Sequence, residues 1–448
     1  MAVTSPRIVV SGATTAITRR TTLRKAFLSP WHPLVPQVYL YCLAEAQRRT
    51  EVAVHHGICV INHHHATVTA AHDNLPEFNG LLHHDLSHAL NHLLTRERYD
   101  CPSEVFDGRS THTMRLLDAA AQASQLVYEH NNCVAAGLVA RPQQMPGYGF
   151  DFELWKTGYL EVERPAVYFS QERPAVARLL LTPPPLLMAA FGGDLDKLVY
   201  HLQRLSQAAG SALRAARKRE PLGARRIERL HPWSEPRTLR ERGGHSAPTF
   251  RIGARGFDGR QSRRAAATET WTFRQEHEEA RKARRAGDFA QRFPYGTYGM
   301  RVLHDAPVVT GPKPGALVTL PGPLLSDIVA ELETGSRPSG EQVLREQGFV
   351  VLEQVRNAFR DEATELCTQD ELDFEHGGTA TRGEPQGTHS DRADSNDGPV
   401  VTRHRFSPLS TEVPAGTARR VIVHRDRRRG RPPGTPNATG RRAADPPG

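Results

Sequence analysis

Cysteine is scarce in this chain, long apolar runs are missing, and so is any glycine-rich loop ending in Lys-Ser or Lys-Thr. The five cysteines, Cys42, Cys59, Cys101, Cys133 and Cys367, are odd in number, scattered and without a CxxC pair. That pattern speaks against a disulfide framework or a cysteine-built zinc site and fits reduced thiols in a cytoplasm. A membrane-spanning helix needs about 18 consecutive apolar residues. The nearest stretch, 179–191, is interrupted by Pro183, Pro184 and Pro185, so no transmembrane span is expected. The chain does not open with a basic segment followed by an apolar one, so no secretion signal is expected either. Without a phosphate-cradling loop, ATP has no evident place in the chemistry.

Negative charge is also in deficit. Lysine and arginine number 58 against 49 aspartates and glutamates, giving a formal charge of +9 and a pI near 9.5. A basic balance suits a polyanionic partner, although many basic proteins never meet nucleic acid. At 448 residues the chain is long enough for two or three domains.

One stretch concentrates chemistry. A strand-like run at 52–61 leads into Asn62-His63-His64-His65-Ala66-Thr67-Val68. In an extended chain residues i and i+2 share a face, so His63 and His65 offer two imidazoles to one divalent ion while His64 faces away. A second stretch, Leu126-Val127-Tyr128-Glu129-His130-Asn131-Asn132, closes a helical pattern that starts near Asp118. Tyr128 and Asn132 are four apart and share a helix face, so a phenol and a third ligand come from one helix. Two histidines, an amide and a tyrosine suit the cutting of a phosphodiester. An isolated HxH is often an accident, and by ligand type the histidines alone suit zinc equally. The rival from another class is a zinc site on the helix carrying His83, His84, His88 and His92, where His84, His88 and His92 repeat every four residues but lack a HExxH carboxylate.

With these pieces in order, residues from about 16 to 146 resemble the REP-associated tyrosine transposases, bacterial members of the single-tyrosine HUH transposase and nuclease group. The matching segments are Ile17-Thr18-Arg19-Arg20, Asn62-His63-His64-His65, Ala89-Leu90-Asn91, and the run from Tyr128 to Val139. The chain departs from the family pattern at Cys133, where proline is usual, and at His64, where a hydrophobic residue is usual. The resemblance implies Tyr128 as nucleophile, His63, His65 and Asn132 as ligands to Mg²⁺ or Mn²⁺, and single-stranded DNA, folded as a hairpin at a repeated palindrome, as substrate. It implies transposition through a 5′-phosphotyrosine, a bacterial nucleoid-associated setting, and a homodimer as one admissible assembly. The alternative is a nucleic-acid-binding regulator without catalysis.

The expected fold class is α+β. Strand, helix, strand, strand, helix, strand, helix over 1–147 reads as an antiparallel sheet with helices on one face, and the resemblance sharpens this to a ferredoxin-like HUH domain. Arg19, Arg20 and Arg24 on the first strand are candidates for the DNA backbone, with surface solvation as the plain alternative. Residues 148–190 read as an aromatic and proline-rich connection, whose Phe150, Phe152 and Trp155 fill a core more readily than they stack on bases. Residues 191–375 read as a mostly helical basic accessory region, including an amphipathic helix over 194–219 and a basic helix end at Arg281, Lys282, Arg284 and Arg285. Residues 376–448 are poor in large apolar groups and are expected to be a disordered tail. In it Arg429-Gly430-Arg431-Pro432 resembles an AT-hook, making Arg429 and Arg431 candidates for the minor groove of A·T-rich duplex.

Overall fold

The computed structural model describes residues 6–108, 111–236, 250–255 and 259–311, together with the backbone of two-residue strands at 374–375 and 420–421. The first half runs β1 (Thr14–Arg20), α1 (Leu34–Thr50), β2 (Ala53–Cys59), β3 (His63–Thr69), α2 (Leu75–Arg96), β4 (His112–Leu116) and α3 (Ala119–Ala135). It continues with β5 (Tyr148–Gly149), α4 (Leu154–Thr157), β6 (Tyr159–Glu163), β7 (Val176–Leu180), α5 (Pro185–Ala190), α6 (Leu195–Ala216), α7 (Ala224–Glu228) and β8 (Glu235–Pro236). Then come β9 (Phe250–Gly253), α8 (Gly259–Arg285), α9 (Gly299–His304), β10 (Phe374–Glu375) and β11 (Arg420–Val421).

The fold is α+β, built on a six-stranded sheet in the order β5-β2-β3-β1-β4-β9. Neighbours pair antiparallel from β5 to β4, but β9 joins the far edge parallel to β4. The sheet is therefore mixed rather than wholly antiparallel. The cause is a strand from beyond residue 249, which enters beside β4 after a long excursion instead of through a hairpin.

Helices cover both faces, which corrects the expectation of one. All seven residues of β3 are buried. His64 lies against Tyr39 of α1 and His83 of α2, while His65 lies against Tyr128 of α3. His63, His65, Thr67 and Thr69 share one face of β3. It is a buried polar face, on which Thr67 Oγ1 donates to Glu129 at 2.8 Å while His65 Nε2 has no hydrogen-bond partner.

Helix α3 is where sequence signal and packing meet. Asp118 caps it, its carboxylate accepting from the Ala121 amide at 2.6 Å. Its outer side packs on α6, where the Asn131 amide donates to Ser206 Oγ at 2.8 Å. A side chain at Gly210 would come within 2.8 Å of Asn131 Oδ1, so the close approach of α6 requires glycine. Arg217, just past α6, donates to the carbonyls of Val134 and Val139, a cation at the negative end of α3.

The main core does not stop at residue 147. It runs from Ile17 to Ala209 and includes Phe150, Phe152, Trp155, Leu160 and Leu179, so the stretch expected to be a connection is built into the first domain. Its aromatics pack: Trp155 Nε1 donates to the His55 carbonyl at 2.8 Å. In α8, Arg281 pairs with Glu278, and Arg284 donates to the His304 carbonyl at 2.9 Å. The further helices expected over 323–366, and Arg429 and Arg431 of the expected tail, lie outside the described residues. From the tail the description keeps only β11, which lies parallel to β6. Among the described residues no helix is long and apolar enough to cross a membrane.

Candidate active site

Sheet register sets the floor of the site. Across β3, β1 and β4, His65 stands opposite Thr18 and Thr18 opposite His112, while Arg20 stands opposite His63. These side chains project toward α3. The rings of His63 and His65 lie 4.9 Å apart, and the His65 ring meets the Tyr128 ring edge-on at 5.5 Å. Tyr128 and Asn132, one helical turn apart on α3, face them: Asn132 Nδ2 donates to Tyr128 Oη at 3.2 Å, and Asn132 Oδ1 lies 3.1 Å from His63 Nε2. Thus the four residues singled out as nucleophile and ligands converge from β3 and α3. Cys133 does not disturb this, because the helix runs on through it to Ala135.

The protonation states follow from burial. Loss of hydration pushes His63 down to about 3, with Arg20, His64 and Arg24 adding to the effect, and holds His65 well below the usual imidazole range. Both rings are therefore neutral near pH 7. Asn62 Nδ2 donates to the Arg24 carbonyl at 3.3 Å, which orients Asn62 Oδ1 toward His63 Nδ1 at 2.8 Å. An amide oxygen only accepts, so neutral His63 carries its proton on Nδ1 and presents a lone pair on Nε2.

That lone pair faces another acceptor, Asn132 Oδ1, with no proton between them. His65 Nδ1 is engaged with Thr18 Oγ1 at 2.8 Å, and His65 Nε2 is buried without a hydrogen-bond partner. His63 Nε2 and Asn132 Oδ1 thus face each other, beside the ring of His65, whose Nε2 has no hydrogen-bond partner. The set fits a divalent ion held by two imidazole nitrogens and one amide oxygen. Turning the Asn132 amide over gives the metal-free alternative, in which Nδ2 donates to His63 and Tyr128 donates to Oδ1, and even then His65 Nε2 stays unmatched.

The candidate arginines divide between the two faces. Arg20 and Arg24 lie close enough to His63 to disfavour its protonation. Arg19 projects to the other face, over the Phe106 ring at 5.9 Å. Sequence reasoning missed two residues. His112 completes the row with Thr18 and His65, visible only once strand register is known. Glu129 follows Tyr128 on α3, is fully buried, and accepts from Thr67 Oγ1 at 2.8 Å and Gln125 Nε2 at 2.9 Å while contacting His56 Nδ1 at 2.9 Å. A glutamate buried at the centre of an otherwise apolar and amide-rich helix was the available signal.

The rival zinc site does not assemble. The His88 ring stacks on Tyr168, His92 also meets Tyr168, and among the described residues no group of three or more histidines, cysteines, aspartates or glutamates is placed to hold a metal ion. In comparisons with known proteins, no family model, no curated protein and no solved structure matches the chain.

Proposed function

We propose that the chain is a metal-dependent enzyme that nicks and rejoins single-stranded DNA, of the REP-associated tyrosine transposase type. One observation carries the reading: Tyr128 Oη, Asn132, His63 Nε2 and the unmatched His65 Nε2 meet in one buried cluster. The order β-α-β-β-α-β, with β2, β3, β1 and β4 adjacent in that sequence, supports the finer reading of a ferredoxin-like HUH domain. Arg20 and Arg24 beside His63 supply positive charge for a scissile phosphate.

His63, His65 and Asn132 would hold Mg²⁺ or Mn²⁺. Such an ion offsets negative charge on the non-bridging phosphate oxygens. Tyr128 Oη attacks the phosphorus, a bond forms between them, and the bond from phosphorus to the 3′ oxygen breaks. The phenol's proton leaves to solvent and the departing 3′ oxygen takes one up. The product is a 5′-phosphotyrosine and a free 3′-OH, and the retained phosphodiester energy permits rejoining without ATP.

A second reading, a DNA-binding protein without cleavage, draws on the burial of Tyr128, which is only 5% exposed. Incubation of the full chain with labelled single-stranded hairpins and Mn²⁺, followed by denaturing electrophoresis, separates the two. A covalent protein–DNA band that is absent in Tyr128→Phe supports the enzyme. Hairpin binding with no such band in the wild type overturns it in favour of the binder.

A further inference from the structure

On the opposite face of the sheet, between α2, the segment that precedes β1, and the strands β1 and β4, lies a cavity of about 430 Å³. We propose that it is a binding site for a nucleoside monophosphate, distinct from the Tyr128 cluster. The lining is divided. Three arginines, Arg7, Arg19 and Arg115, are among its lining residues, with Thr15 and Thr113 on the strands. Val9, Leu75 and Pro76 give it an apolar wall. Among the described residues none that line it is acidic. The carboxylates that hold these arginines stand outside the lining: Glu269 pairs with Arg115 at 2.8 Å, and Asp107 and Glu104 act on Arg19. Arg7 is oriented by the Thr111 carbonyl at 2.8 Å.

A ligand that matches both sides is an anion with an apolar body. Guanidinium forks match the geometry and charge of a phosphate, and burial lowers the proton affinity of Arg7 and Arg19, a cost that an anion would offset. The volume lies toward the small end of ligand pockets, at about 300–1,000 Å³, which admits one nucleotide and excludes a duplex stem. Asn79, on the α2 side, also lines the cavity. The site stands on this cavity and is independent of the nicking reading.

The test is calorimetric titration of the full chain with dAMP, inorganic phosphate and deoxyadenosine at one ionic strength. Binding of dAMP is expected with a Kd of about 1 mM or tighter, with phosphate and deoxyadenosine each weaker by at least about tenfold because each keeps one half of the match. Arg7→Gln and Gly80→Leu should each weaken dAMP by at least about tenfold. Gly80 lines the cavity, and a side chain added there meets nothing within 4 Å. Leucine also favours the helix over glycine, so this variant blocks the cavity while α2 stays folded, which its melting temperature checks. Competition by a short 5′-phosphorylated oligothymidylate, but not by its unphosphorylated form, identifies a strand end as the occupant, and no competition by either identifies the free nucleotide. Absence of dAMP binding, or equal binding in wild type and Gly80→Leu, overturns the proposal. Tyr128→Phe should bind dAMP as the wild type does, whatever its cleavage result.

Discussion

Strand β3 carries three consecutive histidines, and its two faces use them differently. On the α1 and α2 side, His64 Nε2 lies 2.9 Å from His83 Nε2, and the ring packs on Tyr39 and Phe106. On the α3 side, His63 and His65 meet an amide and a phenol, with one imidazole nitrogen left unmatched. One residue type, in one strand, at equal burial, is core on one face and ligand-like on the other. The difference lies in what faces it: rings and a partner imidazole on one side, an amide and a phenol on the other. Each face leaves one imidazole nitrogen unmatched, His64 Nδ1 and His65 Nε2, so composition, burial and an orphaned nitrogen do not by themselves separate the faces; the amide and phenol opposite His63 and His65 do.

The sharpest way to break this comparison is at Tyr128. Tyr128→Phe keeps the ring against His65 but removes the oxygen proposed to attack, so covalent adduct should fall by at least about a thousandfold while hairpin affinity in filter binding is kept. Adduct at wild-type yield would remove Tyr128 from the chemistry. Next come the histidines. His63→Ala or His65→Ala should lower cleavage by at least about a hundredfold. His64→Leu, on the other face, should leave cleavage at the wild-type level in the folded protein and cost about 1–3 kcal/mol in urea denaturation, because His83 loses its partner. If all three histidines behave alike, the two faces are not distinct.

A smaller effect is expected behind Tyr128. Glu129→Gln keeps the shape and can keep the bonds from Thr67 and Gln125, whereas Glu129→Leu strands His56, Thr67 and Gln125 in a buried setting. The glutamine variant should lose about 1–3 kcal/mol and the leucine variant about 3–5 kcal/mol by urea denaturation. Equal losses would mean that the carboxylate's charge, which both variants remove, rather than its hydrogen bonds from Thr67 and Gln125, fixes α3 on the sheet.

What could be read in the residues and what could not divides along local and long-range interactions. The helices α1, α2, α3 and α6 were legible because apolar spacing, and for α3 the cap at Asp118, act within a turn. The pairing of His63 with His65, and of Tyr128 with Asn132, was legible because strand and helix periods fix shared faces. Arg19 was grouped with Arg20 and Arg24 because adjacency in sequence hides the alternation of a strand, which sends Arg19 and Arg20 to opposite faces. The parallel arrival of β9, the covering of the second face by α3, and the row from His65 through Thr18 to His112 depend on register between distant segments. No local pattern encodes these features.

The last and smallest prediction asks whether neutral buried histidines act on stability through pH. His55 donates and accepts within the fold, between the Thr182 carbonyl and Thr69 Oγ1, each at 2.7 Å, and burial pushes it down to about 4. In the unfolded chain an ordinary histidine titrates near 6.5. As pH falls below that value the unfolded state takes up a proton that the folded state refuses, so stability is complete above about pH 6.5 and declines toward pH 4. The window of about 2.5 pH units corresponds to a loss on the order of 3 kcal/mol from this residue. His112, pushed down to about 4 mainly by burial, acts in the same direction over the same window. Urea midpoints measured from pH 7 to pH 4 should fall in the wild type and fall less steeply in His55→Gln, which forms neutral hydrogen bonds but does not titrate. Parallel curves for the two proteins would show that His55 is protonated alike in the folded and unfolded states, and the contrast between tied and ligand-like histidines would then need another basis than charge.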